Sequence, residues 1–541
     1  MQLKSFATLL AGVLFALCTV QDTEARPAKR NPGMVTLPLK RVPRAEGIHP
    51  TVYLQQHINR AHRRLARMKG RSPPSDHQLR QNIERRLLAI EESPLDKRYN
   101  RHGVPKSLLS RSPTNRIGFA GAAHKSRSLD LKKGKAGTGA GKGAAAGAGA
   151  AGAGTGAAGA ASGASTGAAG ADSSSNGTPG TGSEIEANGV PSGVEAANPP
   201  TASNSLGLNI EGQDVGYLAT IQMGTPPQNF LILMDSGSAD LWVGSESCQS
   251  TAGGGCGDHT FLGTASSSTF TDTGKQFAVT YGTGNVAGTV VTDNIAVAGL
   301  NLTAHSFGVA DTESDDFADN SVPFDGLMGL AQSTLSEEGV PTPPESMAAA
   351  GLISDAITSF KISRESDNLN DGEITFGGLD PTKFVASSLT TFANVNTQGF
   401  WEGAMDAVTV DGTDTGLTGR TAILDTGTTL MVVPPSDAAA VHQLIPGSAS
   451  DGQGGFTVPC TTNASVALTF GGTSFPIDPT DIAVQPVDAS DPTGDCISGI
   501  SSGEVGAATE WLVGDVFLKN AYFSVDVGQN QISLAQLATA T

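Results

Sequence analysis

A chain of 541 residues is long enough for several domains, and 52 acidic against 34 basic residues give it a net charge of −18. Only six basic but 39 acidic residues follow residue 204, so that part carries −33 and the first 204 residues carry +15. The basic part lacks interleaved aromatics and any zinc or helix-turn-helix pattern, which speaks against a nucleic-acid partner, and nine scattered His without an H-E-x-x-H pattern give no support to a zinc protease.

In chain order, FATLLAGVLFALCTV (residues 6–20) follows Lys4 and has the length of a secretory signal, with cleavage expected by about residue 25. No other stretch is long and apolar enough to cross a bilayer, so a secreted, extracellular protein with no membrane partner is expected. Residues 26–132 read as a basic pro-segment, with one helical-looking patch, RQNIERRLLAIEE, at residues 80–92. Residues 133–204 are rich in Gly, Ala and Ser with almost nothing to bury, the composition of a flexible linker.

Beyond residue 205, runs of Val, Ile, Thr and Phe alternate with Gly, Asn and Asp, as in GYLATIQMG and QFAVTYGTGNVAGTVVTDNIAV. These are strand and hairpin signals, so this part is expected to be mostly β. Two stretches look helical, PESMAAAGL (344–352) and SDAAAVHQLI (436–445). Cys18 leaves with the signal, and four cysteines remain in an oxidising compartment. Three pairings are open; the sequence-near one, Cys248–Cys256 with Cys460–Cys496, is preferred.

The chemistry lies in a repeat. LILMDSGS puts Asp235 at the end of an apolar run, where a lone buried carboxylate would be costly. AILDTGTT repeats the pattern around Asp425, 190 residues later, and FDGLMGL (324–330) and WLVGDVFL (511–518) form a second repeated pair. If the halves fold alike, a pseudo-twofold axis brings the two Asp turns tip to tip across a cleft. No G-x-S-x-G lies on a strand-to-helix pattern, and glycosidase carboxylates are not usually set in matched Gly-hydroxyl turns.

The two Asp turns, with DLWV (240–243), YGTG (281–284), FGGLD (376–380) and WLVGDVFLKNAYFSVD (511–526) in order, resemble the pepsin-like aspartic proteases over residues 205–541. The resemblance implies a mostly β, bilobal pepsin-like fold, two pseudo-twofold β lobes (205–385 and 386–541) with the active-site cleft between them. It implies an endopeptidase acting in acid without metal or other cofactor, a monomer that cuts protein or peptide substrates through Asp235 and Asp425. Ser236 and Thr426 would bond across the axis, Gly237 and Gly427 would let amides approach the carboxylates, and Ser238 and Thr428 would steady their outer oxygens. Tyr281, Gly282 and Thr283 would form a flap over the bound peptide, with Trp242 donating its N–H to the Tyr281 oxygen. Thr283 stands where some fungal relatives carry Asp, so large apolar or aromatic residues are expected at the cut bond.

The basic pro-segment is expected to act as an intramolecular inhibitor. LPLKRVP (37–43) and KRYN (97–100) resemble the stretches that cover the family's cleft, with Lys97 the candidate cation between the two Asp. Asn301, Asn463 and Asn176 are glycosylation candidates. A pepsin-fold binding protein without hydrolysis is the alternative, disfavoured because both Asp turns are intact. A secreted structural protein built around the Gly/Ala tract is a third reading.

Overall fold

The computed structural model describes residues 35–38, 40–41, 49–68, 74–92, 194–195, 210–211, 216–281, 284–320, 322–367, 371–503 and 509–538. The signal-like run, Lys97, Asn176, Gly282, Thr283 and all of the linker except residues 194–195 lie outside the described residues.

The fold is mostly β, built twice from one arrangement. In the N-terminal lobe the strands relevant to the site are β1 (Tyr217–Met223), β2 (Gln228–Asp235), β3 (Leu241–Ser250), β4 (Thr271–Thr280), β5 (Asn285–Val297), β6 (Leu300–Glu313) and β7 (Gly326–Gly329). Strand β7 runs parallel to β2, with Gly329 opposite Asp235, and antiparallel to β3, with Leu327 opposite Trp242. In the C-terminal lobe β8 (Arg420–Leu424), β9 (Met431–Val433) and β10 (Glu510–Val513) repeat this. There β10 is parallel to β8, with Val513 opposite Leu424, and antiparallel to β9.

The repeated sequence pairs explain the symmetry. FDGLMGL and WLVGDVFL supply the central strand of each triplet, apolar on both faces because it is covered on both, and every residue of β7 and β10 is buried. The turn that carries each Asp leaves the strand next to this central one. The two lobes share a six-stranded sheet whose middle strands are Ile357–Lys361 and Tyr522–Asp526, and their apolar side chains merge into one core. The expected helices appear at Pro343–Ala349 and Pro435–Gln443, each opening on Pro within its first turn.

The basic segment before the linker contributes two helices, α1 (Pro50–Met68) and α2 (Asp76–Glu92). The sequence reading found only the second. In α1, Leu54, Ile58 and Ala61 recur at helical spacing and are all buried, Leu54 and Ile58 against the main core and Ala61 against Ile423, Val432 and Leu512. Residues Val35–Pro38 add an edge strand to the shared sheet beside Glu373–Phe376, and Lys40–Arg41 pair with β1. The described part of LPLKRVP is therefore bonded along sheet edges.

Both preferred cystine pairs form: Cys248–Cys256 and Cys460–Cys496. Asn301 and Asn463 are exposed. No described helix is long and apolar enough to cross a membrane.

Candidate active site

Asp235 and Asp425 are fully buried at the ends of equivalent strands, where the two turns meet. Ser236 N–H donates to Thr426 Oγ1 (2.9 Å) and Thr426 N–H to Ser236 Oγ (2.9 Å). Each hydroxyl then donates to the carbonyl ahead of the other turn, Ser236 Oγ to Leu424 O (3.1 Å) and Thr426 Oγ1 to Met234 O (2.9 Å). These four bonds lock the lobes together directly beneath the carboxylates. Ser satisfies the pattern as fully as Thr, since only the hydroxyl takes part.

The carboxylates are held in matched ways. Gly237 N–H donates to Asp235 Oδ1 (2.9 Å) and Ser238 Oγ to Oδ2 (2.5 Å). Gly427 N–H donates to Asp425 Oδ1 (3.0 Å) and Thr428 Oγ1 to Oδ2 (2.6 Å). Glycine is required at both turns by space: a Cβ on Gly237 would lie 2.5 Å from Asp425 Oδ1, and one on Gly427 would lie 2.3 Å from Asp235 Oδ1. The same numbers bring each turn against the opposite carboxylate.

Between them lies a side chain that the sequence reading did not select. Arg64 of α1 reaches both carboxylates: Nη2 donates to Asp425 Oδ1 (2.7 Å) and to Asp235 Oδ1, and Nε lies 2.5 Å from Asp425 Oδ2. Arg64 takes the place expected for Lys97. The signal was present, because Arg64 stands three residues after Ala61 on the stripe of Leu54, Ile58 and Ala61, and so falls on the buried face. A segment crowded with arginines hid it.

Burial pushes the Asp425 carboxyl up to about 7, opposed by the Arg64 charge and reinforced by that of Asp235. Burial alone would lower the Arg64 guanidinium, but the two Asp raise it on balance. The Arg64 charge thus favours the ionised form of the Asp425 carboxyl, and its removal favours the protonated form.

A second arginine, Arg86 of α2, anchors the basic segment on the C-terminal lobe. It is buried, pairs with Asp451, donates from Nε to Gln55 Oε1 (2.9 Å) and from Nη2 to Gln453 O (3.4 Å). Gln55 in turn donates to Asn59 Oδ1 (3.0 Å), and Asn59 to Leu79 O (3.1 Å), tying α1 to α2.

Beside Asp235 a cavity of about 120 Å³ is bounded by Val279, Tyr281, Leu335, Phe400 and Arg64. Trp242 Nε1 donates to the Tyr281 hydroxyl (2.8 Å), and Phe317 packs edge-on against both rings. Burial raises the Tyr281 phenol well above its ordinary range, with the charges of Asp240 and Glu338 adding to the effect.

Residues 216–537 match the eukaryotic aspartyl protease family. The chain is 37% identical over 343 residues to a probable aspartic-type endopeptidase CTSD of Trichophyton verrucosum, covering 63% of this chain and 65% of that protein. It is 36% identical over 343 residues to an aspartic-type endopeptidase of Aspergillus fumigatus, covering 63% and 70%. With pepsin A of Sus scrofa the identity is 32% over 331 residues, covering 60% and 82%. The repeated Asp turns, the paired strand triplets around them and these matches have one consequence: the chain belongs to the eukaryotic aspartyl protease family.

Proposed function

We propose that this chain is the autoinhibited precursor of a secreted aspartic endopeptidase that acts in acid. The observation that carries the reading is the pair of bonded Asp turns occupied by an arginine of the same chain. With the cation gone and one proton retained, one carboxylate draws a proton from a bound water while its protonated partner polarises the peptide carbonyl and then helps the amine leave. Both roles need two carboxyls in one site with different proton affinities, which burial and mutual repulsion supply.

Arginine keeps its charge at every relevant pH, so release depends on the carboxylates. The sign is fixed by linkage. Arg64 lowers the proton affinity of Asp425, so docking is strongest where the pair is ionised and weakens as pH falls and protons return. The apolar run at residues 6–20 and the two disulfides support secretion. The apolar walls formed by Val279, Tyr281, Leu335 and Phe400 support a preference for large apolar or aromatic side chains at the cut bond.

The test is hydrolysis of a denatured protein at about pH 3, where such a dyad holds one proton, with and without a statine-type transition-state analogue. Activity in the unmodified protein, its suppression by the analogue and its loss in Asp235→Asn and Asp425→Asn support the reading. Persistent activity in either variant contradicts it.

A further inference from the structure

Below the flap lies an acid that the proposed mechanism does not use. Glu338 belongs to the turn between Leu335 and the helix Pro343–Ala349 and is fully buried. Neither of its carboxyl oxygens makes a hydrogen bond of good geometry, and the groups nearest to them are the backbone amides of Gly308 and Leu241. The carboxyl lies on bare backbone, because a Cβ added to Gly308 of β6 would sit 2.4 Å from Glu338 Oε1 and 2.6 Å from Phe277 Cζ. Phe277 shares a cluster with Trp242, Val279, Tyr281 and Phe317, against which Val340 of the same turn also packs.

The charged groups around Glu338 leave its carboxyl no counter-ion. Asp240 is buried beside it and accepts from Ser336 Oγ (2.8 Å) and from the Glu338 N–H (2.9 Å), which fixes the turn but adds negative charge. Lys275 spends its ammonium on the Glu338 carbonyl oxygen (2.7 Å). Glu337, next in the chain, is exposed at the rim of the cavity beside Asp235. Burial first, and then the Asp240 charge, raise the Glu338 carboxyl well above its ordinary range; the nearby amides of Gly308 and Leu241 and the Lys275 charge offset part of this.

We propose that Glu338 is a positioning residue for the flap, working only as the neutral acid, so that loss of its proton lifts the 336–340 turn off Gly308 and unsettles Tyr281 and Leu335 where substrate binds. The inference rests on the protease reading and adds to it a limit on activity at higher pH that does not arise in the dyad. A carboxyl whose folded-state proton affinity is raised stabilises the fold below the ordinary Glu range, and that contribution is lost as pH rises through the folded value. Binding therefore fails on the alkaline side by a route separate from the chemistry.

The experiment measures kcat and KM of the acid-activated protein for a chromogenic peptide with Phe at the cut bond, from about pH 3 to pH 7. Glu338→Gln and Glu338→Leu both remove the titration, the second leaving no polar atom buried, and Glu338→Asp retains it. The rise in KM with pH should be lost in the Gln and Leu variants, so that KM at the upper end of the range is lower by about tenfold. The Asp variant should follow the unmodified protein, and the kcat limb should stay in place in all of them. Glu313→Gln, which removes another buried acid of the same lobe, should leave the KM limb where it is. A KM limb retained in both Glu338→Gln and Glu338→Leu, or an equal loss in Glu313→Gln, overturns the assignment. Full turnover by Asp425→Asn in the same series would mean that the protease reading itself has failed.

Discussion

The two lobes build the same turn around the same carboxylate, but four buried acids of the N-terminal lobe and two of the C-terminal lobe meet different surroundings. In the N-terminal lobe Asp240, Glu313, Asp325 and Glu338 are all raised by burial, Glu313 to about 7. In the C-terminal lobe burial would also raise Asp437 and Asp481, but the contacts of Asp437 with Arg420 and Trp511, and of Asp481 with Lys519 and Arg364, hold both below the usual range. Six basic residues serve everything beyond residue 204, and Arg364, Arg420 and Lys519 are committed to Asp437 and Asp481. The first four are thus pushed toward protonation, whereas Asp437 and Asp481 are paired.

The basic segment also contacts the two lobes unequally. Its helices close on the C-terminal lobe through Arg86, Leu54 against Gly455, and Ala61. Toward the N-terminal lobe they leave a cavity of about 710 Å³, with Arg60 and Arg80 on one wall and Asp315 and Asp316 on the other. Arg64 is the side chain that reaches both halves of the dyad. The two helices are therefore anchored mainly on the C-terminal lobe.

Four changes would break or sharpen this contrast. The largest effect is expected from Arg64→Gln, which leaves the dyad without its cation. The full-length variant should then bind a statine-type analogue at pH 6 at least tenfold, about 1.4 kcal/mol, more tightly than the unmodified chain. Equal binding measured by calorimetry would show that Arg64 does not block the site.

The lobes should next differ in sign. Glu313→Gln removes an acid raised to about 7. It should stabilise the protein by about 2–3 kcal/mol at pH 7, where the unmodified carboxyl is forced to ionise, and have no comparable effect at pH 4. Arg420→Gln should do the reverse, costing about 2 kcal/mol at pH 6 and progressively less below pH 4, as Asp437 takes up its proton. Thermal unfolding of both variants across pH reads the two trends, and parallel trends would erase the distinction. The smallest effect belongs to Trp242→Phe, which removes one buried hydrogen bond to Tyr281 and should raise KM severalfold, about 1 kcal/mol, with kcat little changed.

Much of this was legible because it is repeated or periodic. The Asp turns and the FDGLMGL and WLVGDVFL strands occur twice, and two occurrences of a costly pattern constrain each other. Strands 217–223 and 271–297 alternate visibly, and the helices at 343–349 and 435–443 open on Pro with small apolar residues behind. The α1 helix was not legible because its buried stripe is short and set among arginines, so charge density masked the spacing. Glu338 was less legible still. Ser-Glu-Glu-Gly reads as an exposed turn, and only the fold brings Gly308 and Phe277 over one of the two acids. The different fate of buried acids in the two lobes depends on where six cations fall in space, which no local pattern encodes.

The central claim is that Asp235 and Asp425 act as one unit, and kinetics of Asp235→Asn, Asp425→Asn and the double variant at about pH 3 test it most directly. The account predicts that each single change lowers kcat by roughly a thousandfold or more and that the double change adds little further loss. Substantial turnover in either single variant, or losses that simply multiply in the double one, would contradict it.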